Sequence, residues 1–460
     1  MASGSSVDIR SPYDDAVVGT VHEALEPDVR EAIARAGAAR PVIAALSAHR
    51  RGAILDKTSA LLAAQVDDIA RLMAAESGKP MRYARGEVRR AVETFQFAAD
   101  EARRLHGETV PLDAAQTGAG KIGYFLRVPV GVVAAITPFN FPLNLVAHKV
   151  APAVAAGCPL VLKPNPQTPL TALRLADLLA EAGLPDGALS VLVGGADVGH
   201  WMTTDARVNM ITFTGSVPVA QSIAATAGLR RTTFELGGNA AIIVDETADL
   251  DALIDKTVIG AFAYSGQVCI SIQRMYVQRS RFVEFQDKFA ARTERLVLGD
   301  PLEDRTEIGP LINDGAADRI ERWIQEARDG GAQVITGGGR DGRMVQPTLL
   351  TDVSPEMKVV REEAFGPIAT LTPYDTFDEA LALVNDSSFG LQTGVFTRDL
   401  SRAMHAVAAL DVGGVIVNDS PTFRVDQMPY GGNKLSGVGR EGPRFAVEDM
   451  TTLKMVVINP

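Results

Sequence analysis

Strand and helix patterns alternate between residues 121 and 235, and this alternation constrains the fold more than any other feature of the chain. Apolar runs typical of strands are predicted at 122–127, 130–137, 160–163, 190–193, 210–214 and 233–235. Helices are predicted between them, at 145–156, 169–182, 198–203 and 217–227. The pattern predicts a doubly wound α/β domain, in which helices cover both faces of a parallel sheet. Ligands bind such sheets at the carboxyl ends of the strands, where Asn140, Lys163, Gly215 and Glu235 fall.

The flanking sequence extends this domain and adds others. Two or three helices are predicted over 27–79 and a long amphipathic helix over 86–106, and a second α/β segment follows residue 236. An apolar strand at 452–458 needs another edge to pair with, such as one in a neighbouring subunit. The predicted parts are a doubly wound α/β domain at 1–112 with 128–236, a second α/β domain at 237–434, and a small β oligomerisation element at 113–127 with 448–460.

Composition excludes several classes of function. The formal net charge of -11 argues against nucleic acid or an anionic membrane as a partner. Cys158 and Cys269 are the only cysteines and the six histidines are scattered, so neither a disulfide framework nor a metal site is predicted. The first 15 residues lack the apolar core of a secretory signal, and the apolar run at 130–136 is too short to span a bilayer. These features predict a cytoplasmic, metal-independent protein.

One glycine pattern is set aside. Gly337-x-Gly339-x-x-Gly342 matches the dinucleotide fingerprint in spacing, but a strand follows it and no βαβ unit encloses it. It is therefore interpreted as a surface turn.

A cysteine and a glutamate stand out as a candidate catalytic pair. Cys269 closes the run Gly266-Gln267-Val268-Cys269, and Glu235 lies in a glycine-rich turn from which a side chain can project into a cleft. A thiol is a strong nucleophile only as thiolate and needs a base or a positive environment, which Glu235 would help to provide. Taken alone, each residue has a plainer interpretation, because Cys269 could be a small buried side chain and Glu235 a solvated turn residue.

Seven separated motifs favour the catalytic interpretation. In order, they are Thr137-Pro138-Phe139-Asn140-Phe141-Pro142, Leu162-Lys163-Pro164, Phe213-Thr214-Gly215-Ser216, Glu235-Leu236-Gly237-Gly238-Asn239, Gly266-Gln267-Val268-Cys269, Glu362-Glu363-Ala364-Phe365-Gly366-Pro367 and Pro429-Tyr430-Gly431-Gly432. In this order and spacing the chain resembles the NAD(P)-dependent aldehyde dehydrogenase superfamily over nearly its whole length.

The resemblance implies a mechanism. Cys269 would attack the aldehyde carbonyl to give a thiohemiacetal, whose oxyanion would be held by the Asn140 amide and the Cys269 backbone N–H. Loss of hydride to the nicotinamide would leave a thioester, and Glu235 would activate the water that hydrolyses it. The implied catalytic residues are Cys269, Glu235, Asn140 and Lys163.

The resemblance also implies a cofactor site. Lys163 would bind the adenosine ribose, Glu363 the nicotinamide ribose, and Gly215 with Ser216 would open a helix toward the pyrophosphate. The full implied set is Ile136, Thr137, Pro138, Phe139, Lys163, Pro164, Pro166, Phe213, Gly215, Ser216, Leu236, Gly237, Glu363 and Phe365. Pro166 stands where many NAD-preferring members carry a glutamate that would repel a 2′-phosphate. Without that carboxylate the obvious means of rejecting NADP is missing. NAD is the expected cofactor, and NADP is not excluded.

The substrate is only broadly defined by the sequence. The segments around Cys269 and Arg424 resemble a subgroup that includes lactaldehyde and phosphonoacetaldehyde dehydrogenases, which handle small polar aldehydes. The expected substrate-binding residues are Asn140, His148, Arg103, Arg104, Cys269 and Ile270. His148 lies two helical turns past Asn140 on the same face, whereas Arg103 and Arg104 could attract an anionic substrate at the tunnel mouth.

The predicted function is oxidation of a small aldehyde, with an anionic or hydroxylated substrate left open, to its carboxylic acid by a homodimer or homotetramer. Two alternatives remain, a dehydrogenase of the succinate-semialdehyde type and, more remotely, a non-catalytic protein that reuses the fold.

Overall fold

The computed structural model describes residues 4–460 and begins with a hairpin and four helices. The elements of the first half are β1 (Ser6–Arg10), β2 (Val17–His22), α1 (Glu26–Ala44), α2 (Ala48–Ala63), α3 (Val66–Ser77), α4 (Met81–Arg104), β3 (Glu108–Val110), β4 (Ile122–Pro129), β5 (Val133–Ile136), α5 (Asn144–Ala156), β6 (Leu160–Lys163), α6 (Leu170–Glu181), β7 (Leu189–Val191), α7 (Ala196–Thr204), β8 (Met210–Thr214), α8 (Val217–Ala227) and β9 (Arg231–Glu235).

The second half again alternates strands and helices. Its elements are β10 (Ala241–Val244), α9 (Leu250–Phe262), β11 (Arg274–Gln278), α10 (Phe282–Thr293), α11 (Asp314–Asp329), β12 (Gln333–Thr336), β13 (Arg340–Asp341), β14 (Met344–Val345), β15 (Thr348–Thr351), α12 (Lys358–Arg361), β16 (Ile368–Tyr374), α13 (Phe377–Asn385), β17 (Phe389–Gly390), β18 (Gln392–Phe396), α14 (Leu400–Ala409), β19 (Gly414–Val417), β20 (Asn433–Lys434), β21 (Gly437–Val438), α15 (Pro443–Asp449) and β22 (Thr451–Ile458).

The first large sheet has six strands in the order β21-β9-β8-β5-β6-β7, and all but β21 are parallel. Successive residues of β5 enter different cores: Val133 and Ala135 pack with α2 to α6, whereas Ala134 and Ile136 pack with α1, α7 and α8. Because side chains alternate along a strand, a sheet covered on both faces needs continuous apolar runs. The predicted doubly wound α/β arrangement is confirmed.

The second large sheet has seven strands in the order β12-β15-β16-β11-β10-β18-β19. Ile242 and Val244 of β10 pack on one face and Ala241 and Ile243 on the other, so this sheet is also covered on both sides. The chain then returns to the first sheet, where β21 pairs antiparallel with β9 and places Gly437 opposite Glu235.

A separate three-stranded sheet has the order β22-β4-β3. The C-terminal strand pairs with β4 of its own chain from Thr451 with Pro129 to Ile458 with Ile122, so it does not need a neighbouring subunit for its first partner. The division of the chain into three parts stays a prediction, and residues 1–3 of the predicted 1–112 segment lie outside the described residues.

The structure contains elements that the sequence patterns did not predict. They include the hairpin of β1 and β2, strands β10, β12 and β16, and helices α11 and α15. Helix α11 had a readable signal, since Ile320, Trp323, Ile324 and Ala327 follow helical spacing and are buried on one face. The glycine pattern at 337–342 connects β12, β13 and β14, as expected for a turn. No helix within residues 4–460 is long and apolar enough to cross a membrane.

Candidate active site

A cavity of about 910 Å³ opens at the carboxyl ends of the parallel strands of the first sheet. Parallel strands end at one edge, so residues that are distant in sequence converge there. Fifteen of the predicted site residues line this cavity, namely Ile136, Thr137, Pro138, Phe139, Asn140, Lys163, Phe213, Gly215, Ser216, Glu235, Leu236, Gly237, Cys269, Glu363 and Phe365.

Four further predicted residues do not line the cavity. Pro164 and Pro166 flank Asn165, which does line it. Ile270 is buried in a small apolar group that includes Cys269. His148 is buried on α5.

The expected placement of Arg103 and Arg104 at the substrate tunnel is wrong. Both belong to the last turn of α4, where Arg103 is ion-paired with Asp56 of α2. Arg104 is largely exposed and lies 3.2 Å from Glu101 on its own helix. The structure brings neither guanidinium to the cavity, because each side chain finds an acidic partner on the helical surface.

The loop before Cys269 is held by close backbone packing. Gly266 has a φ of 70°, and a Cβ there would lie 2.2 Å from the carbonyl oxygen of Gly366, so no larger residue fits. The Cys269 Sγ lies 3.0 Å from the hydroxyl of Tyr430. Burial raises the pKa of the Cys269 thiol to about 11, so in the free protein the thiol holds its proton at neutral pH.

Glu235 ends β9 and is buried, with only 3% of its surface exposed. Neither carboxyl oxygen has a hydrogen-bond partner among residues 4–460. Burial, reinforced by the nearby negative charge of Glu441, raises the pKa of Glu235 well above its usual range. A carboxylate with a raised pKa is a stronger base than an ordinary glutamate, which suits a general base.

Asn140 follows β5 and lies directly before helix α5. Its amide Nδ2 donates to the carbonyl oxygen of Gln267 at 2.9 Å, which ties it to the loop of the nucleophile. The second hydrogen of this amide remains to donate elsewhere. The arrangement suits an amide that stabilises an oxyanion on a carbon attached to Cys269.

Glu363 and Phe365 close the cavity from the second sheet. Glu363 Oε1 accepts from the backbone N–H of Gly238 at 3.1 Å, and burial raises its pKa to about 7. A Cβ on Gly237 would lie 2.0 Å from the Glu363 carboxyl group, so a larger residue here would displace that carboxyl group. Phe365 packs edge-to-face on Phe139, with ring centroids 5.7 Å apart.

The opposite end of the cavity fits a dinucleotide. Lys163 is buried, which lowers its pKa to about 8, and no ion pair with it is found among residues 4–460. Helix α8 begins after Ser216 with its N-terminus at the cavity, where backbone N–H groups favour an anion. The Thr137 hydroxyl is buried without a partner within the described chain. These unpaired donors are the groups that ribose hydroxyls and a pyrophosphate would satisfy.

A buried ionic cluster behind the nucleophile was not predicted as a unit from the sequence. Glu441 lies 2.9 Å from Lys149 and 3.2 Å from Arg424. The Arg424 guanidinium also lies over the ring of Tyr430, 3.7 Å from its centroid. In the sequence, Arg424 stands out only as part of a segment that resembles the subgroup. Its role was missed because no local pattern reports that residue 424 meets residues 149 and 441.

The same cluster holds His148. Its Nε2 lies 2.8 Å from Asp426 Oδ1 and 3.3 Å from Arg424 Nη2. Because the carboxylate can only accept, the proton is assigned to Nε2, and Nδ1 is left as an acceptor without a partner in residues 4–460. Burial and the adjacent Arg424 lower the pKa of His148, so the ring is neutral at pH 7. Arg424 Nε is likewise a buried donor without a partner in this part of the chain.

Comparisons with known proteins match the whole chain. The model of the aldehyde dehydrogenase family matches residues 1–456. The 3-sulfolactaldehyde dehydrogenase of Priestia megaterium is 45% identical over 458 residues, which cover 99% of this chain and 96% of the relative. The aspartate-semialdehyde dehydrogenase 1 of Pseudomonas canavaninivorans is 41% identical over 453 residues, with 98% and 96% covered.

Solved structures agree with the fold. Aldehyde dehydrogenase 21 from Physcomitrella patens, in complex with the reaction product succinate, has a TM-score of 0.98 and 43% identity and covers 100% of this chain and 96% of its own. The glyceraldehyde-3-phosphate dehydrogenase of Methanocaldococcus jannaschii, complexed with NADP, has a TM-score of 0.95 and 34% identity, with 99% of both chains covered. The betaine aldehyde dehydrogenase of Staphylococcus aureus, in complex with NAD+, has a TM-score of 0.95 and 31% identity, with 99% and 92% covered.

Proposed function

This chain belongs to the aldehyde dehydrogenase family, and we propose that it oxidises a small anionic aldehyde to the acid through covalent catalysis by Cys269. The prediction of an NAD(P)-dependent enzyme is confirmed by the family match and the relatives, which leaves no place for a non-catalytic reuse of the fold. The residues that act and the substrate they accept are the proposal.

The proposed mechanism begins at the thiol. Glu235 takes the proton of Cys269, and the thiolate attacks the aldehyde carbon to form a thiohemiacetal. The oxyanion is stabilised by the Asn140 amide and the Cys269 backbone N–H, each worth about 3–4 kcal/mol in the transition state. A bound NAD(P)+ supplies the hydride acceptor. Loss of hydride from the thiohemiacetal leaves a thioester on Cys269, and Glu235 passes the thiol proton to solvent. Glu235 then deprotonates a water molecule, which attacks the thioester and releases the acid and the Cys269 thiolate.

The cofactor residues are assigned by their position along the cavity. Lys163 would donate to the adenosine ribose, the N-terminus of α8 at Ser216 would face the pyrophosphate, and Glu363 would accept from the nicotinamide ribose. Because residue 166 is a proline, it has no carboxylate that would repel a 2′-phosphate. We propose NAD as the cofactor, and Pro166 gives the site no charge with which to reject NADP.

The observation that carries the substrate proposal is the unpaired pair of polar atoms beside the nucleophile. Arg424 Nε is a buried donor and His148 Nδ1 a buried acceptor, each without a partner within residues 4–460. Arg424 stacks on Tyr430, and Tyr430 touches Cys269. A cation here suits an aldehyde with a negative charge, and the acceptor suits one with a hydroxyl group.

The relatives' names support the same substrate class. They include dehydrogenases of 3-sulfolactaldehyde, lactaldehyde and sulfoacetaldehyde, of which the first is both anionic and hydroxylated. A succinate-semialdehyde substrate is the second candidate, since a 43% identical structure holds succinate as its reaction product. The two candidates differ in sulfonate against carboxylate and in the hydroxyl group.

A substrate panel tests the proposal. The panel contains 3-sulfolactaldehyde, lactaldehyde, glycolaldehyde, phosphonoacetaldehyde, succinate semialdehyde and propionaldehyde, each with NAD and with NADP, and reduced nicotinamide is measured. We expect an anionic aldehyde to have the highest kcat/KM. Equal turnover of every aldehyde would contradict an anionic specificity, and no turnover with Cys269 intact would contradict the mechanism.

Substitution of Arg424 tests the source of the specificity. In Arg424→Met we expect kcat/KM for the preferred anionic aldehyde to fall about 10- to 100-fold, as for loss of a charged hydrogen bond, and the value for propionaldehyde to change much less. Arg103→Met and Arg104→Met are matched controls because both arginines lie on the helical surface. An equal loss for neutral and anionic aldehydes in Arg424→Met would assign Arg424 a structural role only.

A further inference from the structure

Tyr430 touches the nucleophile and has no part in the steps assigned to Cys269, Glu235 and Asn140. Its hydroxyl lies 3.0 Å from Cys269 Sγ, and only 3% of the residue is exposed. The backbone of Tyr430 is fixed by two hydrogen bonds with Glu441, at 3.0 and 2.6 Å. The Arg424 guanidinium covers the ring. The phenol is therefore held in one position against the sulfur.

The direction of this hydrogen bond depends on the state of the thiol. While Cys269 is protonated, either atom can be the donor. Once the thiol has lost its proton, only the Tyr430 O–H can donate. Burial raises the pKa of Tyr430 well above its usual range, so the phenol keeps its proton under working conditions.

The charged groups around the sulfur have opposing effects on the stability of the thiolate. Arg424 favours the thiolate, whereas Glu363 and Glu235 disfavour it when ionised. The same Arg424 and Glu235 face Tyr430 with opposite effects. Within residues 4–460 the Tyr430 hydroxyl supplies the hydrogen bond to Sγ. A thiolate buried here depends on that donor more than on any net charge.

We propose that Tyr430 is a catalytic residue that stabilises the Cys269 thiolate by donating its hydroxyl hydrogen to Sγ. The inference rests on the proposed function only in taking Cys269 as the nucleophile. Hydrogen bonding to the charged form lowers the pKa of a group, so the phenol partly offsets the cost of burying the thiolate.

Alkylation of Cys269 by iodoacetamide tests this without turnover. The rate is followed by mass spectrometry of the Cys269 peptide across the pH range in which thiols titrate, in wild-type protein and in Tyr430→Phe. We expect Tyr430→Phe to raise the apparent pKa by about one unit and to slow alkylation at neutral pH about tenfold. Tyr374→Phe is the matched control, because it also removes a buried hydroxyl, one that donates to Val244 O at 3.2 Å. An unshifted or lowered pKa in Tyr430→Phe would overturn the proposal.

A second variant keeps the test open should Tyr430→Phe fold poorly. With 3-fluorotyrosine placed at position 430 alone, the phenol is nearly unchanged in shape but is a stronger donor. We expect the apparent pKa of Cys269 to fall and alkylation at neutral pH to become faster. A pKa that stays constant or rises would show that the hydroxyl does not donate to the thiolate.

Failure of this inference and failure of the proposed function give different results. If no aldehyde is oxidised but Tyr430→Phe shifts the alkylation profile, the thiolate contact stands and the proposed function falls. If aldehydes are oxidised and the profile does not shift, the Tyr430 role alone falls. In an active enzyme we also expect the kcat/KM of Tyr430→Phe to approach that of the wild type as pH rises, because both thiols then ionise.

Discussion

At the scale of single residues, two buried carboxyl groups near Cys269 have pKa values that are shifted in opposite directions. Glu441 is buried, yet its ion pairs with Lys149 and Arg424 lower its pKa to about 2. Glu235 has no such partner, so burial and the charge of Glu441 raise its pKa. The fixed negative charge of Glu441 thus makes Glu235 a stronger base than an ordinary glutamate.

Replacement of Glu235 by glutamine tests its role in hydrolysis. An amide cannot accept a proton from water, so in Glu235→Gln we expect hydrolysis of the thioester to slow by about 100-fold or more and an acylated Cys269 to accumulate. Intact-protein mass spectrometry after quenching detects the adduct. Glu294→Gln serves as control, since Glu294 is exposed. A wild-type rate with no adduct would remove Glu235 from the mechanism.

Glu363 gives a pH dependence to cofactor use. Because burial raises its pKa to about 7, the side chain is neutral below that pH and becomes a carboxylate as pH rises through it. The carboxylate is the better acceptor for ribose hydroxyls, so kcat/KM for the cofactor should rise with pH and level off above about 7. In Glu363→Gln this step should disappear and kcat/KM should stay low throughout. A step that persists in Glu363→Gln would belong to another group.

At the scale of elements, a buried glutamate in an ion pair connects helix α4 to the start of α5. Lys79 and Glu87 are both fully buried and form an ion pair. Glu87 Oε1 also accepts from the backbone N–H groups of Leu143 and Asn144, at 2.9 and 3.0 Å. These are N–H groups at the start of α5, which has no partner for them within the helix. Glu87 therefore fixes the helix that directly follows Asn140.

Removal of Glu87 should be costly. In Glu87→Ala, Lys79 is left as an unpaired buried charge and two N–H groups lose their acceptor, so we expect the free energy of unfolding to fall by about 3–5 kcal/mol. Urea denaturation measures the change. Asp186→Ala, which breaks the exposed pair with Arg35, should cost less than about 1 kcal/mol. Equal effects of the two substitutions would mean that the buried pair contributes no more than a surface one.

At the scale of the whole molecule, the three-stranded sheet leaves apolar side chains uncovered. Leu453, Met455 and Val457 of β22 are 45 to 55% exposed, and Ile122 of β4 is 56% exposed. Strand β22 is at the edge of this sheet, so its outer backbone groups also lack a neighbouring strand. Exposed apolar strands at an edge favour association. We propose that this sheet is the oligomerisation element of a homodimer or homotetramer.

Charged substitutions on β22 test this proposal. In the double variant Met455→Asp with Val457→Asp we expect a smaller assembly, because charge on this face opposes burial against a second copy. Size-exclusion chromatography with light scattering gives the mass, and circular dichroism checks the fold. Leu400→Asp is the control, since Leu400 is 75% exposed on helix α14, away from β22 in the chain. An unchanged mass in the double variant would place the interface elsewhere.

The α/β class, the parallel arrangement of the first sheet and the positions of most of its strands and helices could be predicted from the sequence. Apolar periodicity is a local signal, and β5, β6, β8 and the helices between them carry it strongly. Two-residue strands such as β13 and β17 are too short to be distinguished from a loop. The motifs also named fifteen residues that the fold brings to one cavity, because strand ends of a parallel sheet meet at one edge.

The charges that surround the nucleophile follow from tertiary packing and could not be predicted from the sequence. Arg103 and Arg104 have the right chemistry for an anion but lie on a surface turn of α4, whereas Arg424 reaches the site from a loop more than 150 residues beyond Cys269. The opposite pKa shifts of Glu235 and Glu441 follow from burial and from which partner each one finds. Burial and partners are properties of packing between distant segments, and no local pattern of residues encodes them.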